Sequence, residues 1–196
     1  MRDIIQTPRL TLRPFTLADA ARVYELIGNF EVSKMLSRAP HPYSMDDAIS
    51  WLSQHEELSR SGSDFPYAIT TEQNGLIGAI GLHATTRLED IAPSAFEMGY
   101  WLGQPFWGQG FATEAGLGLI AAFDADVRGK PLVSGHFTEN PQSGHVLEKL
   151  GFHYVDRSGT IFCVARDAEV PDLSMLRPAQ TKFTTDLSDL ERRPLL

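Results

Sequence analysis

Apolar residues along the chain alternate between a period of two and a helical period, and the changes of period mark out its elements. Arg9-Leu10-Thr11-Leu12-Arg13 alternates, which puts Leu10 and Leu12 on one face of a short strand. Ala20, Val23, Tyr24 and Ile27 recur at helical spacing behind Thr16 or Asp19 as a cap. Residues 29–43, with Pro40 and Pro42, show no period and are expected to be largely irregular. Ser44 heads a second helix, with Asp46 and Asp47 in its first turn. Ile49, Leu52, His55 or Glu56 and Leu58 continue it, and Ser61-Gly62-Ser63 ends it. Strands follow at 67–70, 76–83 and 95–102, with a turn at Asn74-Gly75 and a polar connection over 85–93. In the third strand Phe96, Met98, Tyr100 and Leu102 face one way, and Glu97, Gly99 and Trp101 the other.

A helix then runs to about Asp124, with Ala112, Ala115 or Gly116, Leu119 and Ala122 or Phe123 on its buried stripe. Residues 132–138 read as a strand. Asn140 is placed to cap the next helix, Pro141 takes its first position, and Val146, Leu147 and Leu150 form its apolar face. Gly151 stands where a left-handed stop is needed. Residues 152–156 and 160–166 predict a terminal hairpin turning at Ser158-Gly159. Beyond Asp167 the pattern dissolves among Pro171, Pro178 and Pro194, with only Leu187 and Leu190 hinting at a helical turn. The reading is one domain over residues 1–167 and a tail over 168–196, with disorder the default for its last residues. The mixture of antiparallel hairpins with one strand–helix–strand crossover is α+β.

Composition narrows the classes. The chain has 196 residues, 42% hydrophobic and 21% charged, as in soluble single domains. No apolar run approaches the roughly 20 residues that span a bilayer. Residues 1–9 hold no apolar segment of the secretory kind. Cys163 is alone, so no internal disulfide forms, which suits a cytoplasmic location. The net charge of −8 argues against a nucleic-acid partner. It suits an amine substrate only weakly, because many acidic proteins are simply soluble. His41, His55, His83, His136, His145 and His153 show no ligand spacing, so no metal is expected.

The chemistry lies in Trp107-Gly108-Gln109-Gly110-Phe111-Ala112-Thr113-Glu114. Two glycines one residue apart join an apolar strand to a helix whose first N–H groups have no internal partner, which makes an anion site. Gly108 and Gly110 permit positive φ, and Ala112 and Thr113 leave the helix start uncluttered. Gly110 is not followed by Lys-Ser or Lys-Thr, which excludes a nucleotide P-loop.

This segment resembles the coenzyme A pyrophosphate loop of the GNAT acyltransferase superfamily, most closely its branch of Rim-type ribosomal-protein N-terminal acetyltransferases. Residues 96–102 resemble that branch's central strand, and residues 140–152 its second cofactor motif. Residues 7–14 and the Pro42-Tyr43-Ser44 helix start are also similar. The resemblance implies a mixed, mostly antiparallel sheet with a splayed central strand pair, and acetyl-CoA as co-substrate. It implies transfer of acetyl to a primary amine, on a small molecule or on a peptide or protein N-terminus. Cofactor contacts are implied for Met98, Gly99, Tyr100, Trp107, Gly108, Gln109, Gly110, Phe111, Ala112, Thr113, Asn140 and Ser143. Most superfamily members carry Gln or Arg in place of Trp107, so a phosphate contact from that side chain is lost.

Two residues stand out for the reaction. Glu97 interrupts an apolar strand and is the candidate base, with burial expected to raise its pKa. It could instead be a structural carboxylate paired with Arg13 or Arg87. Ser143 matches the serine that the Rim-type branch is thought to use at the leaving sulfur. The tyrosine common elsewhere in the superfamily is replaced by Leu147. Ser143 could equally bond its own helix start. Gly99 suits close backbone approach, or packing against a large neighbour. Arg128 and Lys130 rank low as contacts for the ribose phosphate, and Glu148 and Lys149 read as a solvated helix face. His136 and His145 read as packing or cap residues and Cys163 as an inert core thiol. Residues 29–43, 85–92 and the last hairpin would wall the acceptor pocket. A coenzyme A-binding sensor or interaction module without catalysis is the competing reading. The chain would act as a monomer or homodimer, with the tail free, over the cleft, or around a second subunit.

Overall fold

The computed structural model describes residues 3–126 and 129–179. Its sheet has eight strands among the described residues: β1 (Ile5–Gln6), β2 (Thr11–Arg13), β3 (Asp64–Thr71), β4 (Gly75–Ala84), β5 (Phe96–Leu102), β6 (Leu132–Phe137), β7 (His153–Cys163) and β8 (Ala168–Arg177). They lie in the order β1-β2-β3-β4-β5-β6-β8-β7. Neighbours are antiparallel except β5 and β6, which run parallel. The helices are α1 (Ala20–Ile27), α2 (Phe30–Ser33), α3 (Met45–Ser53), α4 (His55–Ser61), α5 (Phe111–Asp126) and α6 (Pro141–Lys149). None of the described helices is long and apolar enough to cross a membrane. The fold is the α+β arrangement that the pattern predicts.

Punctuation residues set the helix ends. Ser44 Oγ accepts the Asp47 N–H at 3.1 Å while the Asp47 carboxylate accepts the Ser44 N–H at 2.8 Å, a reciprocal cap. Asn140 caps α6 through its Oδ1, which accepts the Ser143 N–H at 3.2 Å. Gly151 stops that helix at φ 86°. The core lies between the sheet and the helices, with Leu12, Ile80, Met98, Leu119, Phe123, Leu147 and Phe152 buried. Leu10 and Leu12 are both buried, as alternation requires.

Residues 29–43 are largely irregular, as expected, and hold one four-residue helix, α2, started by Asn29, whose side chain accepts the Glu31 N–H at 3.0 Å. Two helical expectations need correction. Tyr24 is exposed and Leu26 takes its place in the core, because α1 packs on both α3 and β4 and buries a wider stripe. The second helix is interrupted at Gln54. Ile49, within the first of the two helices, is exposed, and His55, at the start of the second, is buried against Phe15 and Trp51.

The largest correction concerns the C-terminus. Ser158 and Gly159 do not form a turn; they sit within β7, opposite Leu173 and Asp172. The chain reverses at Val164–Arg166 and Asp167, and residues 168–177, read as tail, become β8. This strand lies between β6 and β7, so the domain runs past Asp167 to at least Arg177. Hydropathy hid it because its buried positions include Asp172, Ser174 and Arg177. These charges are paired inside the fold: Arg177 Nη2 donates to Asp124 Oδ2 at 2.7 Å, and Arg87 holds Asp172. Leu187, Leu190 and Pro194 lie outside the described residues.

Candidate active site

The glycine turn takes the backbone form that the sequence predicts. Gly108 and Gly110 take φ 72° and 80°, values that side chains resist. Phe111 then opens α5, so the free N–H groups of its first turn and the helix dipole act together. The Trp107 indole is committed elsewhere, donating to the Leu102 carbonyl at 2.7 Å. Gln109 Nε2 likewise donates to the Pro105 carbonyl at 2.9 Å. The first ties the loop to the end of β5 and the second to the turn that follows it, and Ala112 packs onto the core.

The loop is also clamped from the connection between β1 and β2, which sequence reading missed. Glu114 Oε1 accepts from Thr7 Oγ1 at 2.6 Å and from the Arg9 N–H at 2.8 Å, while Arg9 Nε donates to Glu114 Oε2 at 2.6 Å. Burial pushes this carboxyl up, but the bonds from Thr7 and Arg9 hold it below its ordinary range. Arg9 Nη1 donates to the Gln109 carbonyl at 3.1 Å, and its guanidinium lies over the Phe111 ring. A cleft of about 630 Å³ runs beside Thr7, Gly110, Thr113, Leu117 and Lys149. Lys149 is thus exposed and also lines this cleft. Lys130 lies over the Phe96 ring, and Arg128 falls outside the described residues.

β5 and β6 pair at Phe96↔Leu132 and Glu97↔Val133 and then separate. Beyond Glu97 the edge of β5 that faces β6 is open, and Met98, Gly99 and Tyr100 lie along it. Ser134 Oγ, on β6, donates to the Met98 carbonyl at 2.8 Å. A Cβ built on Gly99 would meet nothing within 4 Å, so this glycine fills no packing role. Further along, Tyr100 Oη donates to the Ser143 carbonyl at 3.0 Å and lies 2.8 Å from Ser143 Oγ. Burial pushes the Tyr100 phenol up to about 12, against the Ser143 hydrogen bond. Ser143 therefore both meets its own cap and faces a second hydroxyl.

Glu97 projects from β5 at the point of separation. Together with Ser37, Arg38, Thr85, Arg87 and Phe162 it lines a second cleft of about 590 Å³. Residues from the 29–43 segment, the 85–92 connection and the end of β7 line it. Thr85 Oγ1 donates to Glu97 Oε2 at 3.0 Å, Arg87 Nη1 donates to Oε1 at 3.2 Å, and His83 Nε2 is 3.4 Å from Oε2. The expected rise in its pKa is corrected: burial pushes the Glu97 carboxyl up, but His83, Arg87 and Thr85 together carry it below its ordinary value. Arg13 instead holds Asp19, with Nη2 2.7 Å from Oδ1. His83 was missed because it meets Glu97 only through the β4–β5 register.

Residues 9–153 match the family model described as an acetyltransferase (GNAT) domain. The chain belongs to the GNAT acetyltransferase family. An uncharacterized N-acetyltransferase, YoaA of Bacillus subtilis, is 29% identical over 154 residues, covering 78% of this chain and 84% of YoaA. Among solved structures, the microcin C7 self-immunity acetyltransferase MccE, determined with acetyl-CoA and AMP, is similar at a TM-score of 0.73 and 18% identity, covering 87% of this chain and 93% of that one. RimL, a ribosomal L7/L12 alpha-N-protein acetyltransferase determined with coenzyme A, is similar at a TM-score of 0.72 and 19% identity, covering 90% and 98%.

Coenzyme A fits what a GNAT acetyltransferase offers here. Positive-φ glycines precede a free helix start, Arg9 and Lys149 stand beside it, and β5 has an unpaired edge. The remaining sequence candidates lie outside this arrangement. His136 is buried, with Nδ1 2.8 Å from the Phe137 carbonyl oxygen and Nε2 2.9 Å from Tyr154 Oη. His145 is exposed on α6. Cys163 is buried, its thiol donating to the Leu36 carbonyl at 3.4 Å.

Proposed function

We propose that this GNAT acetyltransferase moves acetyl from acetyl-CoA to a primary amine by direct attack, with the amine entering the cleft over Glu97. One observation carries the reading: Glu97 stands on the floor of that cleft at the point where β5 and β6 part. Glu97 and Tyr100 are separated by three positions on a strand, so they face opposite sides of the sheet. The open strand pair joins those sides, letting a thioester held near Tyr100 and Ser143 meet an amine held near Glu97.

Bound acetyl-CoA supplies an activated carbonyl. The new C–N bond forms as the C–S bond breaks, the nitrogen loses a proton and the thiolate gains one. Glu97, ionised well below neutrality, is a weak base for a free ammonium group. It is a competent acceptor once the nitrogen has bonded to carbon and become acidic. The Ser143 hydroxyl, held against Tyr100 Oη, stabilises the leaving thiolate. Backbone N–H groups of Gly108, Gln109, Gly110, Phe111, Ala112 and Thr113 hold the pyrophosphate. The open edge at Met98, Gly99 and Tyr100 takes the pantetheine, and Asn140 supports the Ser143 turn.

RimL's substrate makes a peptide N-terminus one acceptor to test, beside small amines. The experiment is a mass-spectrometric screen of peptides with free N-termini and of small amines with acetyl-CoA, alongside calorimetry of cofactor binding. Acetylated product is the expected result, and absence of acetyl-CoA binding rejects the reading. The pairing of Glu97 with Arg87 favours one alternative, a coenzyme A-binding module without catalysis. Binding with no released thiol across the panel selects it.

A further inference from the structure

Arg87 is largely withdrawn from solvent, with 16% of its side chain exposed. Its fork serves two strands that are not neighbours. Nη1 donates to Glu97 Oε1 on β5 at 3.2 Å, and Nη2 donates to Ser174 Oγ on β8 at 2.9 Å and to Asp172 Oδ2. Strand β6 lies between them. The guanidinium crosses it at Gly135, where a Cβ would lie 2.1 Å from Nη2 and 2.7 Å from Cζ. A Cβ at that position would push the guanidinium off its present path.

The place of this bridge gives it meaning. β5 and β6 lose their backbone pairing just after Glu97↔Val133. Arg87 then spans the opening with side-chain bonds, from Glu97 to β8. On the other side of the sheet, Tyr100 and Ser143 make the corresponding link. Arg87 Nε is buried with no hydrogen-bond partner among the described residues, so one donor is left unmet while the fork is held in place.

We propose that Arg87 is the positioning residue of the acceptor side, its fork fixing the Glu97 carboxylate at the cleft floor and tying β8 to β5 across the opening. This rests on Glu97 acting as the proton acceptor. The groups facing Glu97 are His83 from β4, Thr85 and Arg87 from the 85–95 connection, and the charge of Asp172 from β8. Asp172 is itself pushed up by burial, against Arg87, with Glu97 adding and His136 opposing. Arg87 is the cation that keeps two nearby carboxylates from repelling each other.

The test uses the full chain, with Arg87→Met and Arg87→Lys. The Glu97 carboxyl is titrated by carbon NMR, its signal assigned with Glu97→Gln, and acetyl transfer to a peptide or small amine that the screen identifies is followed against pH. Removing the cation disfavours the carboxylate, so Arg87→Met shifts the Glu97 titration to higher pH, and with it the second, steeper fall in rate that Glu97 protonation adds below the limb set by the amine. Misplacement of the base lowers kcat on the order of a hundredfold, while acetyl-CoA affinity by calorimetry stays unchanged. Arg87→Lys restores charge but not the fork, so the titration recovers in part and kcat stays low. An unmoved Glu97 titration in Arg87→Met overturns the proposal, as does wild-type kcat in Arg87→Lys. If Arg87→Met does not fold, Arg87→Lys decides alone by the same kcat criterion. If no amine is acetylated, the base reading fails separately, and the NMR titration still decides whether Arg87 governs Glu97.

Discussion

The turn at residues 107–114 is a single continuous stretch, whereas the cleft over Glu97 is assembled from residues as far apart as Ser37, Thr85, Glu97 and Phe162. The turn works through backbone: two left-handed glycines and one helix start. The cleft works through side chains, a buried arginine serving two carboxylates. A backbone device fails when φ is denied, while a charge network fails when one member is removed. That difference says which substitutions should abolish binding and which should abolish turnover alone.

The largest effect is expected from Gly110→Val. At φ 80° a β-branched side chain is strained by roughly 1–2 kcal/mol, and a shifted turn would also lose the bonds to phosphate proposed for it, about 1.5–3 kcal/mol each. Acetyl-CoA affinity should fall by at least about a hundredfold in calorimetry. Affinity within a few-fold of wild type would mean that the turn is not the phosphate site. Glu97→Gln tests the other half and should act in the opposite manner. Turnover drops on the order of a hundredfold, with acetyl-CoA affinity unchanged. A variant that binds the cofactor less tightly would show that the two halves are not separable.

This division also governs what could be read from sequence. Strand, turn and helix around Gly108 and Gly110 are local, and so are the Asn140 cap, the Gly151 stop and the α+β order. Glu97 was visible as a charge in an apolar strand, yet its environment was not. His83 meets it only through register, and Arg87 reaches it while spanning to a strand that the sequence hid. β8 was invisible because Asp172, Ser174 and Arg177 occupy inward positions, which makes a central strand look like polar tail. Burial alone suggested a raised pKa for Glu97, and the three partners that reverse it come from tertiary structure.

The reversal has a consequence for pH. With its pKa below the ordinary glutamate value, Glu97 stays ionised as pH falls until well into the acid range. Between about pH 5 and 7 the rate for a peptide N-terminus should therefore follow its amine, which titrates near ~8, and rise as pH rises. An inflection within that interval that vanishes in Glu97→Gln would place the carboxylate higher than its partners allow. A smaller effect is expected at the hydroxyl pair. Ser143→Ala removes one hydrogen bond to developing negative charge and should lower kcat about tenfold, with Tyr100→Phe costing less. Burst kinetics with thiol release as the signal separate this from a change in binding. Wild-type kcat in Ser143→Ala would reduce that serine to its place in the helix cap.

The smallest effect falls on Asn140, where the two halves of the site come closest in kind. Its side chain accepts one N–H, that of Ser143, so Asn140→Ala should cost about 1 kcal/mol of stability in urea unfolding. The same bond sets the first turn of α6, and with it the position of Ser143 against Tyr100. Asn140→Ser keeps a capping oxygen and should restore most of the stability. If turnover recovers along with stability, Asn140 acts through the cap. If stability returns while acetyl-CoA affinity stays low, the side chain also touches the cofactor, and the helix start belongs to the backbone-built half of the site rather than to the acceptor half.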